Sequence, residues 1–272
     1  MRCLLFKHFA ADPYANMAFD EWMFGRVLIS SEAAILRLYT WQSPCITFGY
    51  HQQSERALAL DKVGETPVIR RITGGRALMH DPSELTYSLT VNTSSAACTS
   101  TAFKSLPASS HAIAEALLVF LGKLGVEAQY SRHSSPDNAR PDFFHKAPCF
   151  ASRARYELHT EKKKIVASAQ RRLDGALLQH GSIKIHGIAS HPSLRNTTES
   201  SSSPLQPVDR KEFGCLSRLF SDSLADSLEL TIMTGGSSFP TEKWFRRTLE
   251  NVKKNPLMQR EILKQNKTLE SL

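Results

Sequence analysis

Apolar residues recur along this chain at two spacings, near two and near 3.6 residues, and the switches between them predict its elements. Residues 2–9 read as a short strand. Asp12-Pro13 marks a turn and a helix start, because Asp caps a helix and Pro suits its first position. From Ala15 to Ile29, Met17, Phe24 and Leu28 fall on one helical stripe with Trp22 and Ile29 beside it, which predicts an amphipathic helix. Ile35 to Trp41 alternates Ile35, Arg37 and Tyr39 against Leu36, Leu38 and Thr40, the mark of a strand. Ser43-Pro44 breaks it, and a second strand is predicted from Cys45 to Tyr50. Gln52 to Leu60 reads as a short helix leading back to a strand at Val68.

The second half is less regular. Asn92 to Thr101 is a Ser/Thr/Ala loop, and Ser109 to Leu124 is a helix with Ile113, Ala116, Leu117, Phe120, Leu121 and Leu124 on one face. Gly125 ends it before a short strand from Val126 to Tyr130. Arg132 to Lys146 is polar, holds Pro136 and Pro141, and reads as a mobile connection. Arg155 to Leu158 and Lys164 to Arg172 read as two strands joined by a lysine-rich turn around Lys162. Arg195 to Pro207, with Ser200 to Ser203, reads as a flexible surface loop. Glu212 to Ser227 is predicted helical, Leu228 to Met233 a strand, and Phe239 to Val252 a helix opened by Pro240-Thr241-Glu242. These elements predict one domain over residues 1–254 and a polar tail over 255–272, with no internal repeat.

Composition narrows this little. The chain has 272 residues, 41% of them apolar, enough for a packed core. Its net charge of +8 favours an acidic partner without choosing one, and no nucleic-acid-binding motif is visible. The five cysteines, Cys3, Cys45, Cys98, Cys149 and Cys215, are odd in number and widely spaced, which predicts reduced thiols, a cytoplasmic protein and no metal site. The apolar run from Cys3 to Phe6 is too short for a leader or a membrane span.

The chemistry concentrates in two stretches. The first is Arg70-Arg71-Ile72-Thr73-Gly74-Gly75-Arg76-Ala77-Leu78-Met79-His80-Asp81, followed by Glu84-Leu85-Thr86-Tyr87-Ser88-Leu89. Ile69 and Ile72 lie in a strand-like run, and Leu85, Tyr87 and Leu89 resume at period two. A glycine pair lets a ligand approach the main chain with no Cβ in the way, and three arginines surround that opening. An ordinary Gly-Gly hairpin is the structural alternative. The second stretch holds Ala147-Pro148-Cys149-Phe150, Lys164-Ile165-Val166-Ala167-Ser168-Ala169-Gln170 and Gln179-His180-Gly181-Ser182. A free cysteine is most often a small buried hydrophobe, but Cys149 follows a proline in polar surroundings.

Together these strings resemble the biotin/lipoate protein ligase and octanoyltransferase superfamily, most closely its cysteine-dependent octanoyltransferase branch. Residues 16–21, 36–41 and 47–50 resemble its first helix and the paired strands before the glycine motif. The resemblance implies an α/β (α+β) domain with a mixed β-sheet and flanking helices. It implies Cys149 as nucleophile and Lys164 as the lysine facing the acyl carbonyl, stabilising the thiolate and then the oxyanion. It implies Gly74, Gly75, Arg76 and Ala77 as a backbone wall along the acyl chain, with Arg71 and His80 positioning the leaving or entering group. Ser168, Gly181 and Ser182 complete the substrate-binding set. His80 as a core histidine and Lys164 as part of a solvated lysine run remain open, as does His180 as a base in place of Lys164.

The implied reaction moves an octanoyl group from acyl carrier protein to a lysine of a lipoyl domain or of glycine-cleavage H protein. It needs no cofactor, nucleic acid or membrane, and a monomer is expected. An ATP-dependent lipoate–protein ligase, which would use ATP and Mg²⁺, is the alternative. Arg76 stands where such ligases usually carry a third glycine. A non-catalytic acyl-binding protein is a further alternative, because Ala167 replaces the family's usual glycine.

Overall fold

The computed structural model describes residues 1–130, 156–161, 163–194 and 205–254. Its elements in chain order are β1 Arg2–Ala11, α1 Pro13–Arg26, β2 Ala34–Trp41, β3 Cys45–Phe48, α2 Ser54–Ala57, β4 Val68–Arg70, β5 Leu78–His80, β6 Glu84–Asn92 and α3 Leu106–Lys123. They continue with β7 Gln129–Tyr130, β8 Leu158–His159, β9 Lys164–Leu173, β10 Ala176–Lys184, α4 Arg210–Leu228, β11 Thr231–Gly236 and α5 Lys243–Lys254. An eight-stranded mixed sheet runs β11-β1-β2-β6-β10-β9-β8-β7, and a small sheet runs β4-β3-β5. The mixed sheet with flanking helices is the predicted fold class.

Local chemistry sets the helix ends. Asp12 Oδ1 accepts from the Ala15 amide at 2.9 Å, and Pro13 begins α1. Ser105 caps α3 the same way, so that helix begins at Leu106 rather than at Ser109. The last predicted helix starts only at Lys243, and the strand predicted to reach Tyr50 stops at Phe48. Glu229 turns left-handed at φ 52° after α4, so β11 starts at Thr231.

The two faces of the large sheet bury different chemistry. On one face Leu36, Leu38, Tyr87, Leu89, Leu177 and Ile183 pack against Leu117 and Phe120 of α3 and Leu216 and Phe220 of α4. On the other, Phe19, Trp22 and Met23 of α1 cover Ile35, Tyr39 and Trp41. Strand alternation places Arg37, Glu84, Thr86, Ser88, His180 and Lys184 on this second face too, all buried. A buried polar group must find partners there, and this face carries the network described below.

The small sheet corrects one expectation. β4 and β5 do not form a Gly-Gly hairpin, because β3 lies between them, parallel to β4 and antiparallel to β5. The strand carrying Leu85, Tyr87 and Leu89 belongs to the large sheet. Residues 71–77 therefore cross from one flank of β3 to the other. The three-residue β5 has too few side chains to show a period. No helix among the described residues is long and apolar enough to cross a membrane. Residues 132–146, Lys162, residues 195–204 and the tail from 255 lie outside the described residues.

His8 on β1 sits against this network. Its Nδ1 accepts from Arg37 Nε at 3.0 Å, and Phe239 stacks on the ring at 4.4 Å. Burial and the neighbouring guanidinium push its pKa down from 6.5 to about 3. Between those values the unfolded chain binds a proton that the folded chain does not, so acid favours unfolding. His8→Gln keeps an acceptor for Arg37 and removes the titration. Its Tm should fall less steeply than the wild type's between about pH 7 and pH 4. Equal slopes in a calorimetric pH series would contradict this.

Candidate active site

The segment from Arg71 to Ala77 is held almost wholly by its carbonyls. The Ile72 carbonyl accepts from Arg171 Nη1 at 3.0 Å and the Thr73 carbonyl from the Tyr50 amide at 2.8 Å. The Gly74 carbonyl takes both Arg71 Nε at 3.1 Å and Nη2 at 2.8 Å, and Nη2 also reaches the Arg76 carbonyl at 2.8 Å. The buried Arg71 guanidinium is the hub of its own loop. The turn needs Gly75, at φ 89°, where a Cβ would sit 2.7 Å from Arg71 Nη2. A Cβ on Gly49 would lie 2.0 Å from the Gly75 carbonyl, so β3 must pass the loop bare. Among the described residues, the N–H groups of Gly74, Gly75 and Ala77 have no partner. Amides left without partners in a loop whose carbonyls are occupied can form an anion or oxyanion cradle.

Two histidine struts brace this loop. His180 Nδ1 lies 2.9 Å from Asp20 Oδ2, and its Nε2 lies 2.6 Å from Thr73 Oγ1. Asp20 also accepts from Ser88 Oγ at 2.7 Å and Tyr39 Oη at 3.2 Å, and pairs with Arg37 at 3.5 Å. His80 Nδ1 lies 2.6 Å from Glu84 Oε1, and its Nε2 lies 2.8 Å from Thr47 Oγ1. Thr47 Oγ1 in turn accepts from Arg71 Nη1 at 3.3 Å. Trp41 stacks on His80 at 4.2 Å and donates Nε1 to Glu84. Both imidazoles are engaged at both nitrogens, and each ties the loop or its Arg71 anchor to a buried carboxylate.

Strand register separates the remaining candidates. Ser182 lies on the α1 face of the sheet with His180 and Lys184, opposite Ala167 on β9. Its hydroxyl is buried and has no hydrogen-bond partner among the described residues. Ala167 has an ordinary negative φ, so it is the methyl group that distinguishes it from glycine. Ala169 on the same face lies under the glycine loop, 3.6 Å from the point a Gly75 Cβ would occupy. Ser168 and Gly181 face the other way. Ser168 Oγ meets Tyr87 Oη at 2.9 Å, and a Cβ on Gly181 would lie 2.6 Å from the Tyr87 ring. The structure thus brings Arg71, Gly74, Gly75, Arg76, Ala77, His80 and Ser182 to one side and leaves Ser168 and Gly181 on the other.

Lys164 is buried and pairs with Glu157 at 2.7 Å. The β8–β9 register slips, Leu158 pairing with Val166 but His159 with Lys164, so Ile165 is the extra residue of a bulge. The slip turns Lys164 to the face opposite Val166, which packs in the α3–α4 core. Cys149 lies outside the described residues. Residues not picked out from sequence include Asp20, Thr47, Thr73, Glu84, Arg171 and Lys184. Their one local signal is a polar side chain at a core-facing position of an apolar strand or helix. Burial raises the Glu21 carboxyl to about 7, against the pull of Arg171. Among the described residues no group of three His, Cys, Asp or Glu side chains is placed to hold a metal ion.

The site is thus a glycine loop braced over a mixed sheet, with a buried lysine at the bulged start of β9. The sequence profile of the lipoyl protein ligase A/B catalytic domain matches residues 12–226, and the chain belongs to this family. The octanoyltransferase LipM of Macrococcus caseolyticus is 38% identical over 175 residues, covering 63% of this chain and 62% of that protein. LipM of Clostridioides difficile is 38% identical over 173 residues, covering 62% of this chain and 60% of that protein. The chain thus matches about three fifths of the length of these relatives. Among solved structures, protein Ta0514 of T. acidophilum with bound lipoic acid aligns at a TM-score of 0.64 and 19% identity, covering 92% of each chain. A lipoate-protein ligase A bound with ATP aligns at 0.62 and 19% identity over 92% of each chain. These structures share the fold.

Arg71→Lys keeps the charge and loses the fork that binds two carbonyls at once. It should cost about 2 kcal/mol of stability, since hydrogen bonds from a charged donor are lost. Amide exchange should speed up at Gly74 and Gly75. Unchanged exchange there would show that the guanidinium does not hold the loop.

Proposed function

We propose that this protein transfers an octanoyl group from acyl carrier protein to a lysine of a lipoyl domain, or of glycine-cleavage H protein, by way of a Cys149 thioester. The observation that carries the reading is the glycine loop, whose carbonyls are consumed by the protein while the Gly74 and Gly75 amides remain as donors. The identity to octanoyltransferases LipM supports the choice of acyl group.

In the first half-reaction the Cys149 thiolate forms a bond to the acyl carbon. The bond to the carrier's phosphopantetheine sulfur breaks, and that sulfur leaves with the electron pair and takes up a proton. Charge develops on the carbonyl oxygen during the attack, and the loop amides stabilise it. Lys164, already neutralised in part by Glu157, contributes a cation near the thiolate. In the second half-reaction the neutral amine of the acceptor lysine bonds to the acyl carbon. The Cys149 sulfur leaves as thiolate, and the amine's proton passes to solvent. A thioester is already activated, so the reading needs no ATP or metal.

Intact-mass measurement after mixing the protein with octanoyl-acyl carrier protein, without ATP, tests the reading. One octanoyl adduct, released by hydroxylamine and missing in Cys149→Ala, is expected. No adduct in the wild type would refute transfer through Cys149. Labelling of a lipoyl domain only when lipoate, ATP and Mg²⁺ are supplied would replace it with ligase activity.

A further inference from the structure

Lys184 has no place in the chemistry above, yet it is a buried cation on the site face of β10. Its ammonium pairs with Glu84 Oε2 and donates to the Met79 carbonyl at 3.3 Å. The other Glu84 oxygen accepts from His80 Nδ1 at 2.6 Å, Trp41 Nε1 at 2.9 Å and Thr86 Oγ1 at 3.0 Å. A carboxylate only accepts, so the His80 proton must sit on Nδ1. Nε2 is then an acceptor, and the Thr47 hydroxyl must donate to it. The Thr47 oxygen is left with lone pairs for Arg71 Nη1 at 3.3 Å. Every proton in the chain from Lys184 to Arg71 thus has one direction, set by the charge on Glu84.

We infer that Lys184 is a positioning residue: by keeping Glu84 ionised it fixes the tautomer of His80 and, through Thr47, the seat of the Arg71 fork that turns the Gly74 and Arg76 carbonyls away from the site. The charged groups facing His80 are Glu84 from β6, Lys184 from β10 and Arg71 from the glycine segment. Cys45, its register partner on β3, is kept a neutral thiol, chiefly by burial. Burial, Lys184 and Arg71 lower the His80 pKa against the opposing pull of Glu84, which favours the neutral ring. Lys184 is the cation beside Glu84, which is held at about 2 despite its burial, and His80 adds an Nδ1–H donor. Without Lys184, the ionised Glu84 keeps only the donors on its other oxygen, and its charge favours turning His80 into an imidazolium. Its Nε2–H would then point at Thr47, and the chain to Arg71 would reverse.

The test is ¹⁵N NMR of the His80 ring across a pH series, in the wild type, Lys184→Met and Lys184→Arg. The wild type should hold the neutral Nδ1–H tautomer from about pH 8 down to about pH 6. Lys184→Met should bring the His80 titration into that window, and Lys184→Arg should restore the wild-type signal. Octanoyl transfer, which rests on the reading above, should follow the ring. In Lys184→Met, kcat/KM should fall about tenfold one pH unit below the new ionisation, and Lys184→Arg should restore the flat profile. Should Lys184→Met not fold, Glu84→Gln carries the test, because it removes the obligatory acceptor and should give a mixture of His80 tautomers. An Nε2–H tautomer in the wild type, or a His80 signal indifferent to both substitutions, overturns the inference. Absence of transfer by the wild type refutes the functional reading alone, because the ring signal does not depend on activity.

Discussion

A guanidinium cannot be buried without acceptors, and Arg71 finds its acceptors in the carbonyls of its own loop. That one constraint organises the site. With the Gly74 and Arg76 carbonyls drawn inward, Gly75 takes the positive φ that no side chain favours, and β3 passes at Gly49 with no room for a Cβ. The loop's amides are what remains to meet a substrate. Arg71 thus occupies two of the loop's carbonyls and leaves the Gly74 and Gly75 amides as its donors.

The supports reach well beyond the loop. From Thr73 the hydrogen bonds run through His180 to Asp20 on α1, and from Arg71 through Thr47 and His80 to Glu84 and Lys184 on the large sheet. Both routes lie on the sheet face that α1 covers, where polar residues occupy positions an ordinary core would give to aliphatic ones. Buried polar networks are costly when incomplete and specific when complete. Here they join α1, β3, β6 and β10 to one short loop, at sequence separations from four to 160 residues.

Much of the frame was legible from the sequence. The Asp12-Pro13 start of α1 and the alternation from Ile35 to Trp41 follow local rules, and the structure obeys them. The Gly74-Gly75 pair stood out, but its neighbourhood did not. A hairpin is the natural reading of two glycines between strand-like runs, and only tertiary pairing shows that β3 lies between β4 and β5. Alternation alone places Ser182 and Ser168 on opposite faces once the β9–β10 register is known, but no local pattern gives that register. The bulge at Ile165 that re-aims Lys164 is equally silent in sequence. Asp20, Glu84 and Lys184 read as isolated polar residues because their partners are remote in the chain.

The central claim is that the outward amides of the Arg71-held loop stabilise the acyl carbonyl. Isotope-edited infrared spectroscopy of the octanoyl-enzyme, labelled with ¹³C at the carbonyl, tests it most directly. The account predicts a carbonyl stretch below that of a free octanoyl thioester in the wild type, returning towards the free value in Arg71→Lys. The same frequency in both proteins would contradict it.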